Sequence, residues 1–256
     1  MLRLRIVSAL ILAPPALAAV WFGSWAFVAL AAVAGVLLAW EWTRLSLGRF
    51  GVAGIILAVM AGGVAAVALV RPALGLALIA LAAAIAPLSQ RVEGRSLAWI
   101  GVGAFYIGLP VLALVWLRGE GAPMVFWLLF LVWATDIGAF AAGRMIGGPK
   151  LWPRVSPNKT WAGLLGGMLS AAAVGAIAAQ LTEKNIPTVA ALSGMLALVA
   201  QVGDFAESWM KRHFGVKDSS GIIPGHGGMM DRLDGLLAAA PVVGTLHLLY
   251  EGGLPQ

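Results

Sequence analysis

The chain has 256 residues, of which 61% are hydrophobic and 11% charged; its net charge is +6 and it has no cysteine. Soluble domains are about half apolar and about a quarter charged, so this composition excludes an ordinary soluble domain and predicts a polytopic membrane protein. The lack of cysteine excludes disulfides and thiolate chemistry, and positive charges confined to loops favour a lipid bilayer, not a nucleic acid, as partner.

The apolar runs are long and unbroken, which favours helices over a β-barrel. A spanning helix needs about 20 mostly apolar residues. The sequence predicts an all-α, single integral membrane domain over residues 1–256 with about nine transmembrane helices. Their expected ranges are 5–21, 24–43, 52–70, 73–88, 97–117, 122–144, 161–181, 188–210 and 230–249. A cleaved secretory signal in residues 1–20 is the alternative for the first range, but a second apolar run follows at once.

The basic residues indicate how these helices are oriented. With nine spans, fourteen of the seventeen Lys and Arg residues fall on the side of the N-terminus, and only Arg71, Arg118 and Lys184 fall on the other. Positive loops mark the cytoplasmic side. We therefore expect a cytoplasmic N-terminus and polar loops that face the cytosol.

The sixth predicted span contains Asp136, and Arg144 follows about two turns later on a similar face. A carboxylate inside a membrane helix is costly, so Asp136 should face a polar cavity or a cation. A purely structural ion pair or a capping interaction is the alternative.

The polar segment 147–163 precedes the seventh span and carries Lys150, Arg154 and Lys159. Ser156 or Asn158 is the expected helix cap, which would place the free N–H groups of the first turn beside the three cations. Helix N-termini bind anions, so the segment predicts a phosphate cradle. The alternative is a topology-setting positive loop with an ordinary cap.

The eighth span ends in a polar face, because Asp204, Glu207, Ser208 and Lys211 are spaced i, i+3, i+4 and i+7. After the glycine-rich turn 224–228, Asp231 and Asp234 open the ninth span three residues apart. Aspartates favour helix starts, so capping is an alternative role for one of them.

Carboxylates without cysteine suit a hard cation such as Mg²⁺, and a single histidine without partners disfavours zinc. A hydrolase triad of Ser208, His226 and Asp231 can be drawn, but no nucleophile-elbow context accompanies it. Carboxylates, Lys, Arg and a helix N-terminus together favour phosphoryl-type transfer, in which cations hold two anionic reactants in line.

The segment 208–234 resembles the signature of the phosphatidate cytidylyltransferase family. The matching positions are Ser208, Lys211, Arg212, Lys217, Asp218, Pro224, His226, Gly227, Gly228, Asp231, Arg232 and Asp234. The 203–204 pair, the S-P-N-K-T loop, the T-D-I-G-A-F segment and the N-terminal L-R-x-R-I start are also similar to the family. One departure is Ala162, where the family often has Glu.

The resemblance implies a nucleotidyltransferase of the inner membrane that converts CTP and phosphatidic acid to CDP-diacylglycerol and pyrophosphate. It implies Mg²⁺, with K⁺ as a second candidate ion, a homodimer, a site facing the cytosol and a catalytic half near 133–250.

The resemblance also implies residue roles. Asp204 and Asp231 would be the main metal ligands, and Glu207, Asp218 and Asp234 would orient them. Phosphate oxygens would be held by Ser208, Lys211 and Arg212. The remaining substrate contacts would come from Asp136, Ser156, Asn158, Lys159, Thr160, Lys217, His226, Gly227, Gly228 and Arg232.

Two other functions compete with this one. A CDP-alcohol phosphotransferase would need D-G-x-x-A-R, but the string that begins at Asp234 has Ala239 in place of the arginine. An ion-coupled transporter could use Asp136, Asp204 and Asp231 as ion sites, but most charges lie at one membrane edge and no inverted repeat is visible.

Overall fold

The computed structural model describes residues 2–89, 95–223 and 227–250. Within this part of the chain, nine helices account for most of the residues. They are α1 (Leu2–Phe22), α2 (Ser24–Leu47), α3 (Val52–Val67), α4 (Pro72–Leu88), α5 (Arg95–Glu120), α6 (Ala122–Met145), α7 (Trp161–Leu181), α8 (Ile186–His213) and α9 (Met230–Leu249). Each predicted span corresponds to one of these helices, so the helical class is confirmed.

The helices differ in their capacity to cross a membrane. Six stretches of the described chain are long and apolar enough to do so. They are Trp25–Leu47, Leu97–Glu120, Ala122–Met145, Trp161–Leu181, Ile186–His213 and Met230–Leu249. The apolar stretches Ile11–Phe22, Val52–Val67 and Pro72–Leu88 are shorter. A multi-pass helical membrane protein follows from these lengths.

A small antiparallel hairpin corrects the expectation of an entirely helical chain. Strand β1 (Lys150–Trp152) pairs with β2 (Ser156–Thr160), with Lys150 opposite Thr160 and Trp152 opposite Ser156. The sequence indicated only a polar loop here, because each strand is short and shows no period-2 apolar pattern. The pairing gives backbone groups between two helices the hydrogen-bond partners that they need.

The described chain divides into two compact units, and the first comprises Met1–Ala122 and His213–Leu233. Within it α2 packs against α3 and α5, and α4 packs against α3 and α5. Trp42 is buried in this unit and its indole N–H donates to the carbonyl of Trp99 at 2.9 Å. Arg118 donates to the carbonyls of Val20 and Trp21 near the end of α1, at 2.6 and 3.2 Å. Side-chain hydrogen bonds to backbone carbonyls therefore connect α1 and α2 to α5.

The second unit comprises Pro123–Arg212 and Asp234–Gln256, and its helices approach closely at glycines. A Cβ on Gly167 would lie 2.9 Å from the carbonyl oxygen of Thr135, and one on Gly203 would lie 2.8 Å from that of Asp234. Small residues allow this close approach of helices in membranes. The polar contact between Trp127 Nε1 and Ser193 Oγ, 3.0 Å, joins α6 to α8.

Gly166→Ala should destabilise the second unit, because the new Cβ would collide with Ala142 and lie 2.9 Å from the carbonyl oxygen of Gly138. We expect a loss of about 1–3 kcal/mol in thermal or denaturant unfolding of the purified protein. The matched control is Gly194→Ala in α8, where the nearest atom would be 3.5 Å away. Gly194→Ala should be neutral or mildly stabilising; an equal loss in both variants would contradict the packing argument.

Candidate functional site

Three carboxylates of the second unit form a compact cluster. Asp204 and Glu207 on α8 and Asp234 on α9 each place an oxygen within 4.8 Å of the other two. Glu207 is buried, and the other two are half-buried. Like charges this close in an apolar body repel one another unless a cation lies between them.

Two lysines partly neutralise this cluster. Lys159 pairs with Asp204 at 2.5 Å, and Lys211 pairs with Glu207 at 2.7 Å. Ser208 Oγ lies 3.3 Å from Asp204 Oδ1, so the predicted polar face of α8 is confirmed. Three carboxylates against two ammonium groups leave excess negative charge, and oxygen ligands are those that Mg²⁺ prefers. The donor set therefore fits a divalent cation.

Asp204 of this cluster also lines a cavity of about 530 Å³ in the same unit. Asp136 and Arg144 on α6 both line it, which confirms the prediction that Asp136 faces a polar cavity. Its other polar lining comes from Asn158, Lys159, Thr160, Gln201 and Asp204. Carboxylate, ammonium and guanidinium groups thus face one volume, an arrangement that suits a ligand carrying phosphates together with a metal ion.

The β1–β2 hairpin places Lys159 at the edge of this cavity. Lys159 Nζ lies 4.3 Å from the ring centroid of Phe205, one residue after its ion-pair partner Asp204. The Trp152 ring of β1 lies 6.3 Å from the same phenyl ring. An aromatic face and a carboxylate therefore fix the position of the ammonium group together.

The N-cap of α7 is Thr160, not Ser156 or Asn158 as the sequence analysis expected. Thr160 has extended backbone angles (φ −122°, ψ 159°), and its Oγ1 accepts from the Gly163 N–H at 3.1 Å. The expected caps are wrong because β2 continues through Thr160, so only the last strand residue adjoins the helix.

Asp231 lies in the first unit, at the second residue of α9. Its Oδ2 accepts from Ser219 N at 2.9 Å, Ser219 Oγ at 2.8 Å and Gly228 N at 2.8 Å. Gly227 has φ +80°, and a Cβ there would lie 2.8 Å from the same oxygen. Gly227 and Gly228 therefore lie directly beside this carboxylate, which orders the start of the helix as a capping residue does.

The other residues implied by the resemblance lie in several environments. Ser156 is half-buried on β2. Exposed positions are occupied by Arg212, Lys217, Asp218 and Arg232. His226 lies outside the described residues.

Two buried polar residues, Gln201 and Glu41, were not among the candidates predicted from the sequence. Gln201 is 6% exposed and lines the cavity one turn before Asp204; a glutamine on the same helix face as a carboxylate was the available signal. Glu41 is fully buried in the first unit; an isolated acid in the apolar range 24–47 was the signal there.

Comparisons with known proteins agree with this chemistry. The model of the "Cytidylyltransferase family" matches residues 3–250. Proteins named phosphatidate cytidylyltransferase from Brucella suis and Brucella melitensis are 39% identical over 94% of this chain and 92% of their own. One of the same name from Staphylococcus saprophyticus is 38% identical over 59% of this chain and 56% of its own.

Thr160→Val should remove the cap of α7 and lower the free energy of unfolding by about 1 kcal/mol. The control is Ser156→Ala on the same strand, which should change stability by less than half as much. Denaturant unfolding followed by tryptophan fluorescence measures both. Equal effects would mean that Thr160 does not cap the helix.

Proposed function

Because the chain belongs to the cytidylyltransferase family, we propose that it transfers the cytidylyl group of CTP to phosphatidic acid, giving CDP-diacylglycerol and pyrophosphate. Near-full-length similarity to proteins that carry the name of this activity supports the substrates. The observation within the molecule that carries the proposal is the cavity in which Asp204, Lys159 and Arg144 meet.

In the proposed reaction, a phosphate oxygen of phosphatidic acid attacks the α-phosphorus of CTP. A new P–O–P linkage forms, and the bond from that phosphorus to the bridging α–β oxygen breaks, so pyrophosphate leaves with the electron pair. A phosphate monoester has a second pKa of about 6 and is mostly dianionic at neutral pH. No protein base is then required, and the site must chiefly bring two polyanions together.

Asp204, Glu207 and Asp234 of the second unit would hold Mg²⁺. When bound, the ion neutralises phosphate charge and polarises the reacting phosphorus. Asp231 is the other metal ligand that we propose, on the strength of the sequence resemblance alone.

The chain's own cations would bind and orient the substrates' phosphates. Lys159 is held at the cavity by an ion pair and an aromatic face, so its ammonium group has little freedom to lose when a phosphate binds. The start of α7, next to Thr160, adds N–H groups and the positive end of the helix dipole. Arg144, Ser208, Lys211 and Arg212 would make further phosphate contacts.

The membrane arrangement completes the proposal. We propose that all nine helices insert, with the N-terminus and the basic loops in the cytosol, where CTP is found. The protein would then reside in the inner membrane, function as a homodimer and take K⁺ as a second ion. The marked excess of Lys and Arg on one side of this topology supports it.

Asp204→Asn should reduce the formation of CDP-diacylglycerol about 100-fold or more, because it removes the carboxylate that both belongs to the cluster and lines the cavity. Purified protein in detergent would receive CTP, phosphatidic acid and Mg²⁺, and both pyrophosphate and CDP-lipid would be measured, with EDTA abolishing both. The control is Glu183→Gln, which alters an exposed acid of the same unit and should retain full activity.

The same assay includes Asp231→Asn. Full activity in either aspartate variant would refute that ligand assignment and leave the reaction intact. A well-folded wild-type protein that makes no CDP-lipid from any phosphatidic acid would refute the substrate, and the transporter alternative would then be preferred.

Thr182→Cys and Arg154→Cys test the orientation. These exposed residues flank opposite ends of α7, and the natural sequence has no cysteine. We expect a membrane-impermeant maleimide to label Thr182→Cys in intact cells and Arg154→Cys only after lysis, because positive loops remain in the cytosol. The reverse pattern would overturn the proposed topology.

A further inference from the structure

Glu41 is a buried acid that the proposed reaction does not use. It lies on α2, in a stretch long and apolar enough to cross a membrane, and its side chain is fully buried. A carboxylate in such surroundings is costly unless hydrogen-bond donors compensate for its lost hydration. The hydrogen-bond partners of Glu41 therefore indicate which part of the structure this carboxylate serves.

Three donors converge on the Glu41 carboxylate, and the hydroxyl that Asp231 shares lies close to it as well, all within the first unit. Oε1 accepts from Ser220 Oγ at 2.6 Å and from Met229 N at 2.8 Å. Oε2 accepts from Met230 N at 2.7 Å and lies 3.1 Å from Ser219 Oγ. Both oxygens are thus engaged, and hydrogen bonds to a charged acceptor are the stronger kind.

These donors belong to the two segments that also hold Asp231. Met229 and Met230 come directly before Asp231 in the chain. Their N–H groups are among the free donors at the start of α9, and a negative charge is favoured at that end of a helix. Ser219 lies between the two acids, because its Oγ is 2.8 Å from Asp231 Oδ2 and 3.1 Å from Glu41 Oε2. One carboxylate from α2 therefore fixes both sides of the Asp231 pocket.

Gly228 shows how closely this pocket is built. A Cβ at Gly228 would collide with Ser219 Oγ and with the Glu41 carboxylate, while its N–H donates to Asp231. Glycine is thus needed at position 228 because Ser219 and Glu41 occupy the space beside it.

We propose that Glu41 is a positioning residue that fixes the Asp231 carboxylate, through Ser219 and the first N–H groups of α9, in the orientation that binds the divalent cation. This inference rests on the proposed function, since it takes Asp231 as a metal ligand. Glutamine at position 41 has the same shape but presents an NH₂ group to donors that need an acceptor, so it should release the pocket.

The test compares Glu41→Gln, Ser219→Ala and a control in purified full-length protein. Mn²⁺ binding is followed by the loss of the free-ion EPR signal, and the Mg²⁺ concentration for half-maximal CDP-lipid synthesis is measured in parallel. We expect both variants to weaken Mn²⁺ binding about tenfold or more, as the loss of groups that orient metal ligands does. The Mg²⁺ requirement should rise in parallel, with a smaller change in kcat at saturating Mg²⁺.

The control is Thr43→Val, two residues from Glu41. Thr43 is also fully buried, but its hydroxyl donates within its own helix, to Ala39 O at 2.8 Å. The Thr43→Val protein should bind Mn²⁺ as wild type does, even if its melting temperature falls. Folded Glu41→Gln and Ser219→Ala proteins that bind Mn²⁺ like wild type would overturn the proposal, whatever their stability.

Two outcomes separate this proposal from the one on which it rests. If Glu41→Gln does not fold, Ser219→Ala decides, because it removes the shared hydroxyl without changing a buried charge. If wild type binds Mn²⁺ but makes no CDP-lipid, the reaction is refuted, and the Mn²⁺ comparison still tests the role of Glu41.

Discussion

The cost of placing carboxylates in an apolar helical body is the constraint on which the rest of this structure depends. The two units meet it in different ways. In the first unit, neutral donors surround Glu41 and Asp231: backbone N–H groups and serine hydroxyls. In the second, ammonium groups from Lys159 and Lys211 face the acids. Neutral donors stabilise a carboxylate without cancelling its charge, whereas the ammonium groups also cancel part of that charge.

Close helix packing is the second requirement, and it serves the site directly. Gly203 lets the backbone of α8 approach the carbonyl of Asp234 on α9. Because Asp204 follows Gly203 in the chain, the same approach brings the carboxylates of the two helices into one cluster. The abundance of glycine is thus connected to chemistry as well as to membrane packing.

The sequence was sufficient to predict the helices, because apolar runs of membrane length are separated by short polar joints. It also predicted the polar face of α8 and the placement of Asp136, since both follow from helical periodicity. The hairpin could not be predicted, because pairing between β1 and β2 depends on contacts that the local residue pattern does not encode. Thr160 was missed as the cap for the same reason.

The partners of Glu41 were beyond the sequence as well. Nearly 180 residues separate it from Ser219 and Ser220, and nothing in a single chain indicates which distant donors an isolated acid will find. Gln201 differs, because its i, i+3 spacing from Asp204 already places it on the same helix face.

The β1–β2 hairpin has a consequence for how the chain can change in length. Successive residues of a strand point to opposite faces, so a one-residue insertion or deletion between Trp152 and Ser156 would alter the pairing register. Because β2 runs directly into α7, the strand that would have to shift is β1, and the strand that carries Lys159 would lose its present partner residues. Exposed turn residues such as Pro153 and Arg154 can be exchanged at little cost to the fold, but a change in their number would disturb the pairing that supports Lys159 beside Asp204.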